Sequence, residues 1–320
     1  MGMLVRGVWQ DVWYDTRTTG GAFVRQDATF RNQVSPEPGA RFRPEEGRYH
    51  LYVSLACPWA HRTLIARALK GLERAIPVSV VDPLMLERGW EFSGGPGCAP
   101  DPLHGDRYLY QVYQRARGDY TGRVTVPVLW DRQEGTIVNN ESSEILRMLN
   151  SAFDGLATRP CPDLYPEDLR SAIDAVNERV YHTVNNGVYK AGFATTQDVY
   201  ENAVTALFST LDSLEDTLGQ QAFLAGDRAT EADWRLFTTL IRFDAVYHGH
   251  FKCNIRRIVD YPNLWEYTRA LYQVPGVAET VSLDHIKRHY YGSHRTINPT
   301  GIVPVGPALD LLAPSSRRSP

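Results

Sequence analysis

The segment Ser54-Leu55-Ala56-Cys57-Pro58-Trp59-Ala60-His61-Arg62 constrains this chain more than any other stretch. It puts a single cysteine at the junction between an apolar strand and an amphipathic helix. The run before it, Tyr49-His50-Leu51-Tyr52-Val53, mixes aromatic and β-branched residues after the turn signal at Gly47. The run after it places Leu64, Ile65, Ala68 and Leu69 on one helical face and stops at Gly71. Pro58 suits the first helical position, where a missing N–H costs nothing. Cys57 therefore sits where free backbone N–H groups and the positive end of a helix dipole converge. Such a position favours thiolate over thiol, and the thiolate is the nucleophile.

The chain has 320 residues, enough for two domains of ordinary size. Its 43% hydrophobic and 22% charged residues are those of a soluble globular protein. A formal net charge of −3 points to neither nucleic acid nor a polybasic membrane partner. No apolar run reaches the roughly eighteen residues of a spanning helix. Met1-Gly2-Met3-Leu4-Val5-Arg6 lacks the apolar core of a signal peptide, so a cytoplasmic protein is expected. The four cysteines, Cys57, Cys98, Cys161 and Cys253, show no metal-ligand spacing and no CxxC pair, and no metal is expected. Ala60 stands three residues after Cys57, where a resolving cysteine would be. In a reducing compartment this leaves one reactive thiol and three bystanders.

Residues 1–47 are polar and rich in Gly, Arg and Pro, punctuated by Trp9, Trp13, Tyr14, Phe23, Phe30 and Phe42. The aromatics predict an ordered extension that packs on a core. Residues 48–155 read as strand, helix, strand, insertion, strand, strand, helix. The second strand is Ile76-Pro77-Val78-Ser79-Val80-Val81, and the insertion covers about 82–121. In Val124-Thr125-Val126-Pro127-Val128-Leu129-Trp130-Asp131 the proline predicts an edge strand or a special turn, with a cis bond as one form of it. Thr136-Ile137-Val138 returns as a hairpin partner, and Asn139-Asn140-Glu141-Ser142-Ser143-Glu144 opens a helix. Residues 165–295 are helical in pattern, with amphipathic stretches near 167–187, 197–218, 231–247 and 263–273. Thr230 and Asp233 form a capping-box pattern with Asp in place of Glu or Gln. The tail, 296–320, is rich in Pro, Ser and Arg and is expected to fray or pack loosely.

The strand-cysteine-helix unit, the Val-Pro before a strand, the Glu-Ser at a helix start and the helical second half together resemble the glutathione transferases. That resemblance implies a thioredoxin-like α/β N-terminal domain followed by an all-helical C-terminal domain. Ser54 to Thr63 narrows it to the glutathionyl-hydroquinone reductases, the Xi class. Further matches are Arg88-Gly89-Trp90-Glu91-Phe92, Asn139 to Ile145, Asn185-Asn186-Gly187-Val188-Tyr189-Lys190-Ala191-Gly192-Phe193 and Asp244 to Asn254. The resemblance implies that Cys57 attacks the sulfur of a glutathionyl-hydroquinone and that a second glutathione resolves the mixed disulfide. The thiol would be held by Val126, whose extended backbone can pair with a cysteinyl unit, and by Glu141 and Ser142 at a helix start. The bland alternative is a Ser142 cap with a solvated Glu141. Trp90 over the tripeptide and Arg123 at a carboxylate are second-tier choices that could equally be packing and surface charge. Tyr189, Tyr247 and Tyr290 would line the hydroquinone pocket and supply protons. Tyr291, beside Tyr290, could take the same role. A homodimer is implied by the same resemblance.

Two rivals remain at this level. A conjugating transferase would stabilise the thiolate of glutathione with a hydroxyl, and Ser54 is the nearest. A non-catalytic protein keeping the fold would carry an unreactive Cys57. The thiol is itself open. Only four of the 34 basic residues are lysine, a bias compatible with high-GC bacteria, some of which use mycothiol in place of glutathione.

Overall fold

A computed structural model describes residues 2–317. Met1, the start of the predicted extension, and residues 318–320, the end of the predicted tail, lie outside the described residues. The chain forms two compact units. One takes in the N-terminus through Trp13, Gln26–Pro162 and Thr280–Ser293. The other takes in Tyr14–Arg25, Asp163–Glu279 and the chain from His294 onward.

The first unit opens with a hairpin, β1 (Met3–Val5) and β2 (Val8–Gln10), turned at Arg6 and Gly7 with φ of 47° and 75°. Next come β3 (Tyr49–Val53), α1 (Pro58–Lys70), β4 (Val78–Val80) and α2 (Leu109–Ala116). The series ends with β5 (Gly122–Arg123), β6 (Val128–Asp131), β7 (Thr136–Asn139) and α3 (Ser142–Ser151). The main sheet has the order β4-β3-β6-β7, with β3 parallel to β4 and the other pairs antiparallel. This is the thioredoxin-like βαβ–ββα arrangement. All five residues of β3 are buried, as expected of a strand covered on both faces. A second sheet, β2-β1-β5, joins the extension to the end of the insertion.

Two sequence readings are narrowed here. Pro127 does not mark an edge, because β6 lies between β3 and β7. The proline stands one residue before the ladder begins at Val128, so its missing N–H is outside the pairing, and the Val126–Pro127 bond is cis. The insertion carries regular structure of its own, as its length suggests. Leu109 N donates to the carbonyl of Trp90 at 2.9 Å, and α2 follows at once.

The second unit is helical. Its elements are α4 (Arg170–Val180), a π-helical turn at Tyr181–Asn185, α5 (Gly187–Gly192), α6 (Gln197–Gln220) and α7 (Glu231–Arg242). A second π-helical turn at Phe243–Tyr247 leads into the short α8 (His248–His250), and α9 is Pro262–Tyr272. The Thr230–Asp233 capping box forms in full. Asp233 Oδ2 accepts from Thr230 N at 2.7 Å, and its other oxygen takes Leu224 N at 2.9 Å and Tyr267 OH at 2.7 Å. Burial pushes the Asp233 carboxyl above its ordinary range, against these donors.

The last helix, α10 (Leu283–Ser293), follows the helical unit in sequence but packs with the first. The boundary expected at 295 therefore differs from the structure, for a visible reason. His285, His289 and Ser293, four residues apart on one face, each bond a backbone group of the insertion. The partners are Pro96 O, Pro83 O and Met85 N, all at 2.9 Å.

Candidate functional site

Cys57 is the N-cap of α1, with extended φ and ψ of −77° and 121°, and Pro58 takes the first helical position. The turn before it closes by Cys57 N donating to Ser54 O at 3.1 Å. Cys57 Sγ lies 3.6 Å from the carbonyl oxygen of Val126. The thiol thus faces the residue before the cis proline, where a cysteinyl backbone could lie alongside. Ala60, one turn on, is fully buried and carries no sulfur. Ser54 is also fully buried, and its hydroxyl accepts from Ala56 N at 3.2 Å. It stabilises the turn and is not presented to a thiol.

The other three cysteines differ in kind. Cys253 is fully buried, which pushes its thiol far up, and Cys98 is raised by the same cause. Cys161 lies on the connection between the two units, its Sγ 3.3 Å from Pro162 O.

At the start of α3 the structure corrects the bland alternative, a Ser142 cap with a solvated Glu141. Glu141, not Ser142, is the N-cap, accepting from Ser143 N at 3.0 Å and from Ser143 Oγ at 3.0 Å. Ser142 is the first helical residue and is buried, with its hydroxyl 3.5 Å from Nη1 of Arg62. Arg62 is only 1% exposed, so α1 delivers a buried cation beside a helix N-terminus. Both features favour an anion there. Sequence reading quoted Arg62 within the cysteine motif but gave it no role. Its place five residues after Cys57, on the helix that the thiol caps, was the available signal.

Arg123 is buried in β5, where its guanidinium donates to the carbonyl of Val12 and so ties the extension down. Trp90 is 6% exposed and stacks on His289 of α10, with ring centroids 4.9 Å apart and planes at 22°. Tyr290, 1% exposed, belongs to this same unit, while Tyr291 beside it is half-buried.

Tyr189 and Tyr247 belong to the helical unit, each just after a π-helical turn or at its end, a feature often found where a helix is bent for function. Their rings meet edge to face at 6.0 Å, and Phe251 packs against both, at 5.5 and 5.7 Å. The extension contributes Phe23, and the guanidinium carbon of Arg25 lies 5.0 Å over the ring of Tyr189. Arg25 is held in turn by Asn186 Oδ1 at 2.9 Å. Sequence reading missed Arg25, since no local pattern links it to residues about 160 positions away.

An open cavity of about 220 Å³ in the insertion is lined by Asp82, Leu84, Leu86, Glu87, Arg88, Gly89, Glu91 and Tyr108. None of the predicted site residues lines it. Among the described residues no group of His, Cys, Asp and Glu is arranged to hold a metal ion, and no helix is long and apolar enough to cross a membrane.

Residues 56–152 match the family profile of the glutathione S-transferase N-terminal domain, and residues 197–270 that of the C-terminal domain. The glutathionyl-hydroquinone reductase PcpF of Sphingobium chlorophenolicum is 58% identical over 311 residues, 97% of this chain and 98% of that protein. A Xi-class glutathione transferase from Natrialba magadii superposes with a TM-score of 0.93 at 53% identity, covering 99% of this chain and 96% of that one. The glutathione-bound structure of YqjG, a glutathione transferase homologue from Escherichia coli K-12, gives 0.91 at 53% identity over 99% of each chain.

Proposed function

Because this chain belongs to the glutathionyl-hydroquinone reductases, the Xi class of the glutathione transferases, we propose that it reduces glutathionyl-hydroquinones through Cys57. The observation that carries the proposal is Cys57 Sγ at a helix N-terminus, 3.6 Å from the carbonyl preceding Pro127.

In the first step the Cys57 thiolate attacks the glutathione sulfur of the conjugate. An S–S bond forms and the carbon–sulfur bond breaks. The electron pair stays on the ring carbon, which takes a proton from a phenol. In the second step a glutathione thiolate attacks the mixed disulfide at its glutathione sulfur and releases the Cys57 thiolate. The two sulfurs of the glutathione disulfide supply the two electrons the ring gains. With Ala60 in place of a second thiol, resolution falls to the small molecule.

Val126 would pair with the cysteinyl backbone of glutathione. Ser142 and the N-terminus of α3, backed by Arg62, would take the γ-glutamyl carboxylate, and Glu141 its ammonium. Trp90 would cover the tripeptide. Arg123, engaged with Val12, has the weaker claim. Tyr189, Tyr247 and Tyr290 are assigned to the hydroquinone and its protonation. Glutathione is the co-substrate in this reading, with mycothiol as the alternative thiol. The physiological setting we assign is quinone detoxification by a cytoplasmic homodimer.

Purified protein is expected to release hydroquinone from its glutathionyl adduct in the presence of glutathione, and Cys57→Ala to abolish this. Full turnover by Cys57→Ala would refute the proposal. Conjugation of glutathione to a chlorinated nitrobenzene that survives the same substitution would favour a transferase, although the buried Ser54 argues against one.

A further inference from the structure

We propose that His289 is a positioning residue for the thiol half of the site, the side chain that holds Trp90 in place. The inference rests on the assignment of Trp90 to glutathione given above.

Trp90 lies in the insertion, before α2 begins, so regular structure does not fix its side chain. Beyond the core it packs into, a ring from late in the chain lies on its face. His289 stacks on the indole at 4.9 Å and 22°, within a pair buried to 6% exposure on each side. Its Nδ1 lies 2.9 Å from the carbonyl of Pro83, which can only accept, so Nδ1 carries a proton and the ring plane is set. The edge of the imidazole is set by Tyr290, which meets it at 83° and 5.2 Å.

The helix that delivers His289 is held at the same place from both sides. His285 bonds Pro96 O one turn before it, and Ser293 bonds Met85 N one turn after it. The helix also approaches closely, since a Cβ on Gly292 would come within 2.5 Å of Leu84 Cδ2. These contacts reach Pro83, Met85 and Pro96, on either side of Trp90 in sequence.

Glutathione titration by calorimetry into protein carrying Cys57→Ser reads binding apart from turnover. His289→Asn keeps an N–H near Pro83 O but removes the ring, and it is expected to weaken binding by about fivefold, the scale of one aromatic stack. His289→Phe keeps a ring and is expected to stay within about twofold of the parent. With Trp90→Ala already present, His289→Asn is expected to add less than about twofold, because the two act through one contact. An equal loss in both backgrounds, an equal loss in the Phe and Asn variants, or no loss at all would overturn the inference. If the Asn variant does not fold, His289→Leu, which fills the space without an aromatic face, carries the same comparison: weakened binding with Trp90 present and less than about twofold further loss with Trp90→Ala. No glutathione binding by the parent would overturn the thiol assignment together with the inference, whereas an active Cys57→Ala would overturn the reaction alone.

Discussion

Cys57 and Cys253 show how position decides the chemistry of one residue type. The first caps a helix and is only half-buried, and the second is fully buried with its thiol pushed up by desolvation. Iodoacetamide at neutral pH is therefore expected to label Cys57 first, Cys98 more slowly and Cys253 only after unfolding, as peptide mapping would read. Equal labelling of Cys57 and Cys98 would remove the case for an activated thiol. Ser142→Ala removes a hydroxyl proposed to meet a carboxylate. It is expected to weaken glutathione binding about tenfold, the scale of a hydrogen bond to a charged group, with the unfolding midpoint nearly unchanged. Cys57 was legible because strand, proline and helix lie within a dozen residues of it. That Glu141 rather than Ser142 caps α3 was not, because a one-residue shift of a helix start leaves the same composition in place. The bond from Arg123 to Val12 was hidden for another reason: its partners are 111 residues apart.

Among the elements, helix starts carry much of the definition. The capping box of α7 is complete and buried, so Thr230→Ala is expected to cost about 1 kcal/mol and lower the unfolding midpoint by a few degrees. An unchanged midpoint in a thermal scan would show that the cap is dispensable. β3 contributes a pH dependence. His50 is buried with Nε2 2.8 Å from Ser79 Oγ, and desolvation holds its pKa down to about 4 from an ordinary 6.5. Between those values the unfolded chain binds a proton that the folded one refuses. Stability therefore falls as pH drops from about 6.5 to about 4. His50→Gln is expected to flatten that slope in urea titrations at the two pH values, and an unchanged slope would show that another group is responsible. Hydrophobic period located the long helices to within a few residues, because burial of one face imposes it. It could not show the π-helical turns at Tyr181–Asn185 and Phe243–Tyr247, because each is a single turn set within a continuous helical pattern. It also could not show that Pro127 precedes a central strand, since strand order depends on partners distant in sequence.

At the scale of the whole molecule, neither unit is a continuous stretch of chain. Tyr14–Arg25 crosses into the helical unit and Thr280–Ser293 returns to the first. A domain boundary drawn from composition misses both exchanges, because each depends on specific side chains: Phe23 and Arg25 at Tyr189, and His285, His289 and Ser293 at the insertion. A chain ending after Glu279 would keep every residue from Cys57 to Ser142. In calorimetry it is nonetheless expected to bind glutathione at least about fivefold more weakly, because Trp90 loses the ring it stacks on. The central claim is that the Cys57 sulfur takes glutathione from the conjugate, and a single turnover tests it most directly. Enzyme mixed with excess glutathionyl-hydroquinone and no free thiol should release one hydroquinone per Cys57, and intact mass followed by peptide mapping should find one glutathione on that residue. Hydroquinone release with no adduct on Cys57, or continued turnover without added thiol, would contradict it.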